Sequence, residues 1–413
     1  MPDKALFLGL DIGTSGARAV VIDDQRQVRA TAKSAMADHG PNPRDPAVWW
    51  AAAETALTGA LAQVDPGQVR ALAVDGTSGT MVGLDAGGAV IGDGLMYNDA
   101  CTDAVILRAI ADHAPATSAA HGPTSGAARA VLLARRGAVR VAHQADWIAG
   151  RLAGVWISDA NNALKTGYDP VAGAWPVWLA RAGVDMAGLP PVVEPGTVTG
   201  QVQGFGLTDC RMVAGTTDGC ASFLATGAAE PGDGVSALGT TLTVKLLSDR
   251  PIFAPEYGIY SHRLLGQWLA GGASNSGGAA LLQHFTPDQM ATLSARIEPE
   301  TDTGLDLYPL PGVGERFPIA DPQMQPRLTP RPADDATFLH ALFEGVAGVE
   351  ALAYRRLSEL GAPPLRSVRS VGGGAANPVW SRIRARRLGV AMPAPLSDEA
   401  AFGTALLAMR GAA

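Results

Sequence analysis

The stretch Leu8–Asp23, LGLDIGTSGARAVVID, constrains this chain more than any other. Leu6, Phe7, Leu8 and Leu10 form an apolar run that reads as a buried strand and delivers Asp11. Gly13-Thr14-Ser15-Gly16 then turn the chain, and Ala17, Ala19, Val20, Val21 and Ile22 resume a β-rich run before Asp23-Asp24. Two strands joined by a Gly/Thr/Ser turn predict a hairpin whose tip offers backbone N–H groups, hydroxyls and one carboxylate. That set suits a metal-bound polyphosphate, with N–H groups on the phosphate oxygens and the aspartate on the metal. It suits an ordinary hairpin equally well, because Gly and Asp also serve turns through their backbone habits.

The rest of the chain decides between these readings. At 413 residues it is too long for one core and predicts two domains. A hydrophobic fraction of 47% against 17% charged residues describes a globular protein with ample core. The net charge of −7 argues against a general nucleic-acid binder, which needs a basic stripe to displace counterions. Arg382, Arg384, Arg386 and Arg387 cluster locally, and a solvated helix face accounts for them. Cys101, Cys210 and Cys220 have no metal or redox spacing, which fits a reducing compartment. There is no secretory leader pattern, and no uninterrupted apolar stretch approaches the ~20 residues that span a bilayer. A cytoplasmic chain without membrane partners is expected.

Along the sequence, further strands empty into small polar loops. A helix is expected from about Ala47 to Ala62, after Pro43-Arg44-Asp45-Pro46. The strand Val69–Val74 runs into Asp75-Gly76-Thr77-Ser78-Gly79-Thr80, the usual address of a ligand in an α/β sheet and also a plain strand-end turn. Residues 102–190 are Ala-rich and read mostly as helix. Met212-Val213-Ala214 forms a short strand before Gly215-Thr216-Thr217-Asp218-Gly219, with a helix from Cys220 to about Ala229. A boundary falls near Glu230–Gly234, giving domains 1–229 and 230–413. Just beyond it, Val235–Leu238, Gly239-Thr240-Thr241 and Leu242–Leu247 repeat the opening pattern of strand, turn and β-branched strand. The echo predicts two lobes of one topology, each offering a hairpin loop to a shared cleft. Leu305–Pro311 reads as a buried strand and turn, and Thr337–Leu360 is the clearest helix. Val368–Val371 then enters Gly372-Gly373-Gly374, where glycines before a helix let a flat or anionic ligand approach the backbone.

Several familiar chemistries are absent from the chain. There is no Walker P-loop, no GxGxxG after a strand, no HExxH, no CxxC and no GxSxG, and no His stands as a recognisable base. What remains is the set of loops with Asp11, Asp75 and Asp218 in or beside them. Phosphoryl transfer needs a carboxylate for the metal, N–H and hydroxyl donors for the phosphates, and a base that orients the acceptor. Asp11 fits the first role and Asp218 the last, while Gly13-Thr14-Ser15 and Gly239-Thr240-Thr241 fit as phosphate clamps. Asp218 also reads as the N-cap of its helix, and the two roles are compatible.

The ordered set DIGTS, DGTSGT, YND, HQADW, GTTDG, ALGTT and VGGGAANPVW resembles the FGGY carbohydrate kinase family over nearly the whole chain. The resemblance implies an α/β fold of two actin-like, ribonuclease H-like domains around a central cleft. It implies ATP with Mg²⁺ as cofactors, a small-molecule sugar as the other substrate, and transfer of the γ-phosphate to a sugar or polyol hydroxyl. By motif position, Asp218 is implied as catalytic base and Asp11 as the metal-linked residue. Thr14 and Thr240 are implied as phosphate contacts, with Gly13, Ser15, Gly239 and Thr241 in the same two loops. Gly373, Gly374 and Asn377 fall in the adenosine motif, with Trp380 beside the base. Asp11, Ser15, Ser78 and Asp218 are expected to hold the sugar.

Two departures bear on which sugar. Ser78-Gly79-Thr80 stands where xylulokinases carry Met-His-Gly, and Tyr97-Asn98-Asp99-Ala100-Cys101 lacks the arginine of the family's Trp-Asn-Asp-x-Arg. The chain is also short for the family. It thus resembles the compact xylulokinase-like branch of cyanobacteria and plants, whose implied substrate is D-ribulose. Xylulose, glycerol or another polyol remains an alternative acceptor, and a non-catalytic actin-like nucleotide-binding module is the alternative class.

Overall fold

The computed structural model describes residues 5–412, which divide into two compact units. The first comprises residues up to Ala225 with His262–Gly266 and Glu399 onward; the second comprises Thr226–Ser261 and Gln267–Asp398. The expected boundary at 229/230 is close to the first crossing point. The C-terminal segment, expected with the second domain, packs in the first unit instead.

In the first unit, β1 (Leu6–Ile12), β2 (Gly16–Asp23), β3 (Val28–Ala35), β4 (Val69–Gly76), β5 (Val198–Gln201) and β6 (Arg211–Thr217) form a sheet in the order β3-β2-β1-β4-β6-β5. The opening hairpin is thus observed as expected, with β1 antiparallel to β2. β1 is parallel to β4, which is parallel to β6. Every residue of β1 is buried, because both faces of the sheet are covered. On one face, Leu6, Leu8, Leu10 and Ile12 meet the helix Pro46–Leu61 through Trp49, Ala52, Ala53, Ala56 and Leu57. That helix starts where Asp45 accepts the Ala47 N–H at 2.9 Å and Pro46 supplies a first residue needing no partner.

The other face is closed by the C-terminal helix Ala400–Ala412, with Phe7, Ala73 and Val213 against Ala401, Phe402 and Ala405. Two glycines permit this approach. A Cβ on Gly9 would lie 2.1 Å from the Ala401 carbonyl oxygen, and one on Gly403 would lie 1.9 Å from that of Ala221. Ala221 belongs to the helix Asp218–Ala225, so the small-residue contact fixes the element that carries Asp218.

Between β4 and β5, the segment read mostly as helix contains the helices Ala104–His113, Gly126–Arg135, Gln144–Ala153 and Ala160–Leu164, separated by turns. Its strand Arg140–His143 pairs with Met81–Leu84, which precedes it, in an antiparallel ribbon. His143 is fully enclosed there, within 2.8 Å of Asp146, 3.1 Å of Ser158 and 3.0 Å of Thr166. Nearby, Asp159 caps Ala160–Leu164 and is pushed up to about 7 by burial, with the charge of Asp146 adding to the shift. The folded protein therefore keeps a proton on Asp159 that the unfolded chain loses near pH 4. Its contribution to stability is full below that pH and is lost as pH rises through about 7. Asn is an equally good cap, so Asp159→Asn should melt at a higher temperature relative to wild type at pH 8 than at pH 5. Parallel melting curves at the two pH values would contradict this.

The second unit repeats the opening topology. β7 (Asp233–Leu238), β8 (Leu242–Ser248), β9 (Gln267–Ala273) and β10 (Ser367–Val371) stand in the order β9-β8-β7-β10. β7 is antiparallel to β8, β8 antiparallel to β9, and β7 parallel to β10, the same relations as in β3-β2-β1-β4. The long helix Asp335–Glu359 inserts Phe338, Leu342, Phe343, Val346 and Val349 into a core with Val244, Leu246 and Val368. By length and hydropathy it could cross a membrane, yet 67% of its most apolar window is buried inside the protein.

Two local expectations are corrected. Leu305–Pro311 is not a strand: within it only Tyr308 makes a bridge, to Arg327. Gly215-Thr216-Thr217 is not a loop but the end of β6, because Thr216 and Thr217 pair with Asp75 and Gly76. The helix accordingly starts at Asp218 and ends at Ala225.

Candidate active site

The topology brings the three aspartates of the first unit to one edge. Asp11 lies at the end of β1 beside Asp75 at the end of β4, and Asp218 follows β6 directly. These three strands are parallel neighbours, so their C-terminal ends open on the same side, where α/β sheets bind ligands. Asp11 is 4% exposed and pairs at 3.1 Å with Arg18, its partner across the hairpin. Asp75 is fully enclosed and accepts a hydrogen bond from Thr404 of the C-terminal helix.

Burial drives Asp75 well above the usual carboxylate range, and the charges of Asp11 and Asp218 drive it further. Its Oδ1 is buried with no hydrogen-bond partner in the protein. Burial also raises Asp11, while the bond from Asp75 and the charge of Arg18 pull it back. The edge thus concentrates three carboxyl groups. Asp218 is half-buried at the first position of its helix.

The surrounding loops are tied to each other. In the hairpin tip, Gly13 N–H bonds the Gly16 carbonyl at 2.9 Å, and Thr14 and Ser15 are exposed. The Ser78 hydroxyl is buried with no hydrogen-bond partner in the protein. Next to it, Gly79 holds φ +96°, and a Cβ there would lie 3.3 Å from Arg129 Nη1. Thr80 accepts the Tyr97 N–H at 3.0 Å, and Thr77 donates to Gln144 at 2.9 Å.

Arg129, 2% exposed, donates to the carbonyls of Thr124, Tyr97 and Asp99 at 2.9, 2.6 and 3.0 Å. The Tyr97–Asp99 loop lacks its expected arginine in sequence, and an arginine from another helix holds it in space. A charge within the apolar run AARAVLLA was the sequence signal for this residue, as the lone hydroxyl in AAFGTALLA was for Thr404.

In the second unit, the turn between β7 and β8 presents exposed Gly239 and Thr240, with Thr241 half-buried. The carbonyls of Gly239 and Thr240 accept the N–H groups of Gly278 and Ala279 at 2.9 Å each, which joins the turn to the start of the helix Gly278–Leu282. Beside this turn lies a cavity of about 760 Å³ whose walls include Gly373, Gly374, Asn377 and Trp380. Gly372, at φ +85°, brings the chain against the backbone of Leu238.

Asn377 caps the helix Pro378–Leu388, its side-chain oxygen accepting from Val379 and Trp380 N–H at 3.0 Å each. Trp380 is 3% exposed, stacks on Phe343 at 4.8 Å and donates to the Phe343 carbonyl. A Cβ on Gly374 would stand 2.6 Å from its ring. Trp380 therefore supports the wall from behind rather than offering an open stacking face.

Mixed α/β units of this repeated topology define a two-domain, actin-like and ribonuclease H-like kinase fold, and solved structures agree. A xyloylose kinase from Brucella ovis matches with a TM-score of 0.85 at 26% identity, covering 98% of this chain and 90% of that one. The xylulose kinase from Bifidobacterium adolescentis matches with a TM-score of 0.80 at 20% identity, covering 98% and 92%. The chain belongs to the FGGY family of carbohydrate kinases, whose N-terminal domain matches residues 6–118 and whose C-terminal domain matches residues 234–412. Among curated relatives, the xylulose kinase of Escherichia coli K12 is 24% identical over 411 residues, covering 92% of this chain and 84% of that enzyme. The xylulose kinase of Streptomyces coelicolor is 28% identical, covering 95% and 85%. This protein is a sugar phosphotransferase of the xylulose kinase-like kind.

Proposed function

We propose that the chain transfers the γ-phosphoryl group of ATP to the terminal hydroxyl of a ketopentose, converting D-ribulose to D-ribulose 5-phosphate. The reading is carried by the convergence of Asp11, Asp75 and Asp218 at the ends of three parallel strands. Asp218 accepts the hydroxyl proton as the oxygen attacks. Ser15 and Ser78, with Asp11 and Asp218, hold the sugar, and the partnerless Ser78 hydroxyl is suited to one of its oxygens.

The exposed Thr14 of the first unit, and Gly239 and Thr240 of the second, donate to phosphate oxygens. Gly13 and Thr241 shape those two turns. Gly373, Gly374, Asn377 and Trp380 form the adenosine wall.

Mg²⁺ fits this arrangement. No group of three or more His, Cys, Asp or Glu side chains forms a metal cage among the described residues. A single buried carboxylate such as Asp11 matches the way Mg²⁺ is bound together with substrate phosphates and water. When bound, the ion would neutralise charge on the phosphates; Asp11 would hold it, its carboxylate oriented by the hydrogen bond from Arg18.

D-ribulose is favoured by Ser78-Gly79-Thr80 in place of Met-His-Gly. D-xylulose is the second reading, favoured by the relatives that carry that name. ADP release measured over a panel of ketoses, aldoses and polyols tests both. Highest kcat/KM on D-ribulose is the expected result, and highest kcat/KM on D-xylulose would replace the acceptor. Turnover on none would overturn the kinase reading in favour of a nucleotide-binding module.

A further inference from the structure

Behind the turn Gly239–Thr241 lies a buried carboxyl group that neither the sequence motifs nor the proposed chemistry has used. Glu315 is 3% exposed, and its backbone is bridged to that of Asp321 by bonds of 2.8 and 2.9 Å. Its Oε1 accepts the N–H groups of Asn275 and Arg316 at 2.7 and 2.9 Å. Its Oε2 accepts the hydroxyls of Ser274 and Tyr308 at 2.5 and 2.9 Å. All four donors are neutral, so the buried group depends on each of them being in place. Ser274 Oγ in turn accepts the Ser276 N–H at 2.9 Å, and the Asn275 amide donates to the Gly314 carbonyl at 2.9 Å. Glu315 thus fixes the first half of Ser274–Gly277, the segment between β9 and the helix Gly278–Leu282.

The same segment grips the turn. Ser274 N–H donates to the Leu242 carbonyl at 2.9 Å, Leu242 N–H donates to the Ser276 carbonyl at 2.7 Å, and Gly278 and Ala279 N–H take the carbonyls of Gly239 and Thr240. The approach leaves no room for side chains: a Cβ on Gly277 would lie 2.7 Å from Leu242 N, and one on Gly278 would lie 2.7 Å from the Gly239 oxygen. This grip decides which pole of each peptide the turn shows. In a planar trans peptide the N–H lies opposite the carbonyl. With the Gly239 and Thr240 carbonyls held on the helix start, the N–H groups of Thr240 and Thr241 point the other way. Successive N–H groups on an exposed turn attract an anion, and carbonyl oxygens repel one.

We infer that Glu315 is a positioning residue for the phosphates of the donor nucleotide: through Ser274 and Asn275 it sets the segment that holds the Gly239 and Thr240 carbonyls inward. The inference rests on the reading of that turn as a phosphate clamp. Without Glu315 the segment is released, the two carbonyls are free to swing outward, and the turn loses its preference for an anion. The effect falls on the phosphates. Adenosine, assigned to the wall of Gly373, Gly374 and Asn377, does not depend on which way the turn's peptides face.

The test compares calorimetric Kd values for ADP and for adenosine, measured without sugar. In Glu315→Ala, ADP should bind about 10–100-fold more weakly, the worth of one or two hydrogen bonds to a charged group, while adenosine stays within about threefold. Glu315→Gln keeps an acceptor for the two backbone N–H groups and can donate to the two hydroxyls, so ADP binding should return to within about fivefold of the wild type. A merely structural role would loosen the unit and weaken both ligands alike, so equal losses overturn the inference. A folded Glu315→Ala protein with wild-type ADP affinity overturns it too. If Glu315→Ala does not fold, Ser274→Ala decides: it removes the acceptor of the Ser276 N–H and should show the same split at about 3–10-fold, and unchanged ADP binding overturns the inference. Sugar phosphorylation by the wild type separates the two readings. The split without turnover on any sugar supports this inference and overturns the kinase reading, and turnover without the split overturns this inference alone.

Discussion

Asp218→Asn is expected to lower kcat for sugar phosphorylation by about 10²–10⁴-fold, the usual contribution of a positioned general base. That corresponds to about 3–5 kcal/mol of transition-state stabilisation, at about 1.4 kcal/mol per tenfold. The substitution is nearly isosteric and keeps an oxygen for the Gly219 N–H, which Asp218 accepts at 2.6 Å. The helix Asp218–Ala225 should therefore form, and the melting temperature should stay close to that of the wild type. KM for the sugar is expected to move little beside kcat, because the asparagine can still hydrogen-bond the hydroxyl but cannot take its proton. Steady-state kinetics and a thermal melt on one preparation check both parts. A folded variant with near-normal kcat would remove Asp218 from the role of base, leaving Asp11 as the next candidate at that edge.

The second large effect concerns stability. Arg384 and Glu350 are both fully buried in the second unit, joined by two hydrogen bonds of 2.6 Å. Around them, Ser236 donates to Glu350 at 2.5 Å and Arg384 donates to Ser370 at 2.8 Å. The network joins β7, the long helix, β10 and the helix that Asn377 caps. Removing one partner leaves the other charge buried without compensation, at a cost of about 3–5 kcal/mol. Arg384→Met should lower the melting temperature of the second unit by roughly 10 °C, at about 2–4 °C per kcal/mol for a unit of this size. Glu350→Leu combined with Arg384→Met should be less damaging than Arg384→Met alone, since the apolar pair strands no charge. A double variant that falls by the sum of the two single losses would contradict this account.

Arg384 also marks a limit of what local sequence conveys. It is one of four arginines within 382–387, and a solvated face is the economical interpretation. Two of the four behave so at least in part: Arg382 meets Glu300 with both side chains more than half exposed, and Arg386 is about a quarter exposed beside Glu344. Arg384 faces inward instead, because its position on the helix Pro378–Leu388 is the one directed at Glu350. Helical periodicity could have placed Arg384 on the side of Ile383 and Trp380, but no local rule supplies a glutamate from 34 residues away.

Arg129 and Thr404 share that property. Each is a polar residue on the buried side of an Ala-rich helix, and each acquires its meaning from a partner distant in the chain. Asp11, Asp218 and the two Gly/Thr turns were legible because strand, turn and carboxylate lie within a few residues of each other. Asn377 and Trp380 both line the cavity, where the Asn377 side chain is engaged as a helix cap and Trp380 stacks on Phe343.

The sequence alone determined the strand–turn–strand units, their repetition at Asp233–Ser248, the polar loops after apolar strands and the family to which the ordered motifs point. These depend on interactions within about ten residues, where alternation, turn chemistry and capping leave few alternatives. Tertiary structure alone decided that the C-terminal helix closes the first sheet through Gly9 and Gly403, and that Thr404 thereby reaches Asp75. It also decided that burial drives Asp75 above the usual carboxylate range and that Arg129 donates to the Asp99 carbonyl. Each of these depends on desolvation or on a contact between segments far apart in sequence. A charge buried by a distant helix leaves no mark on its own neighbours in the chain.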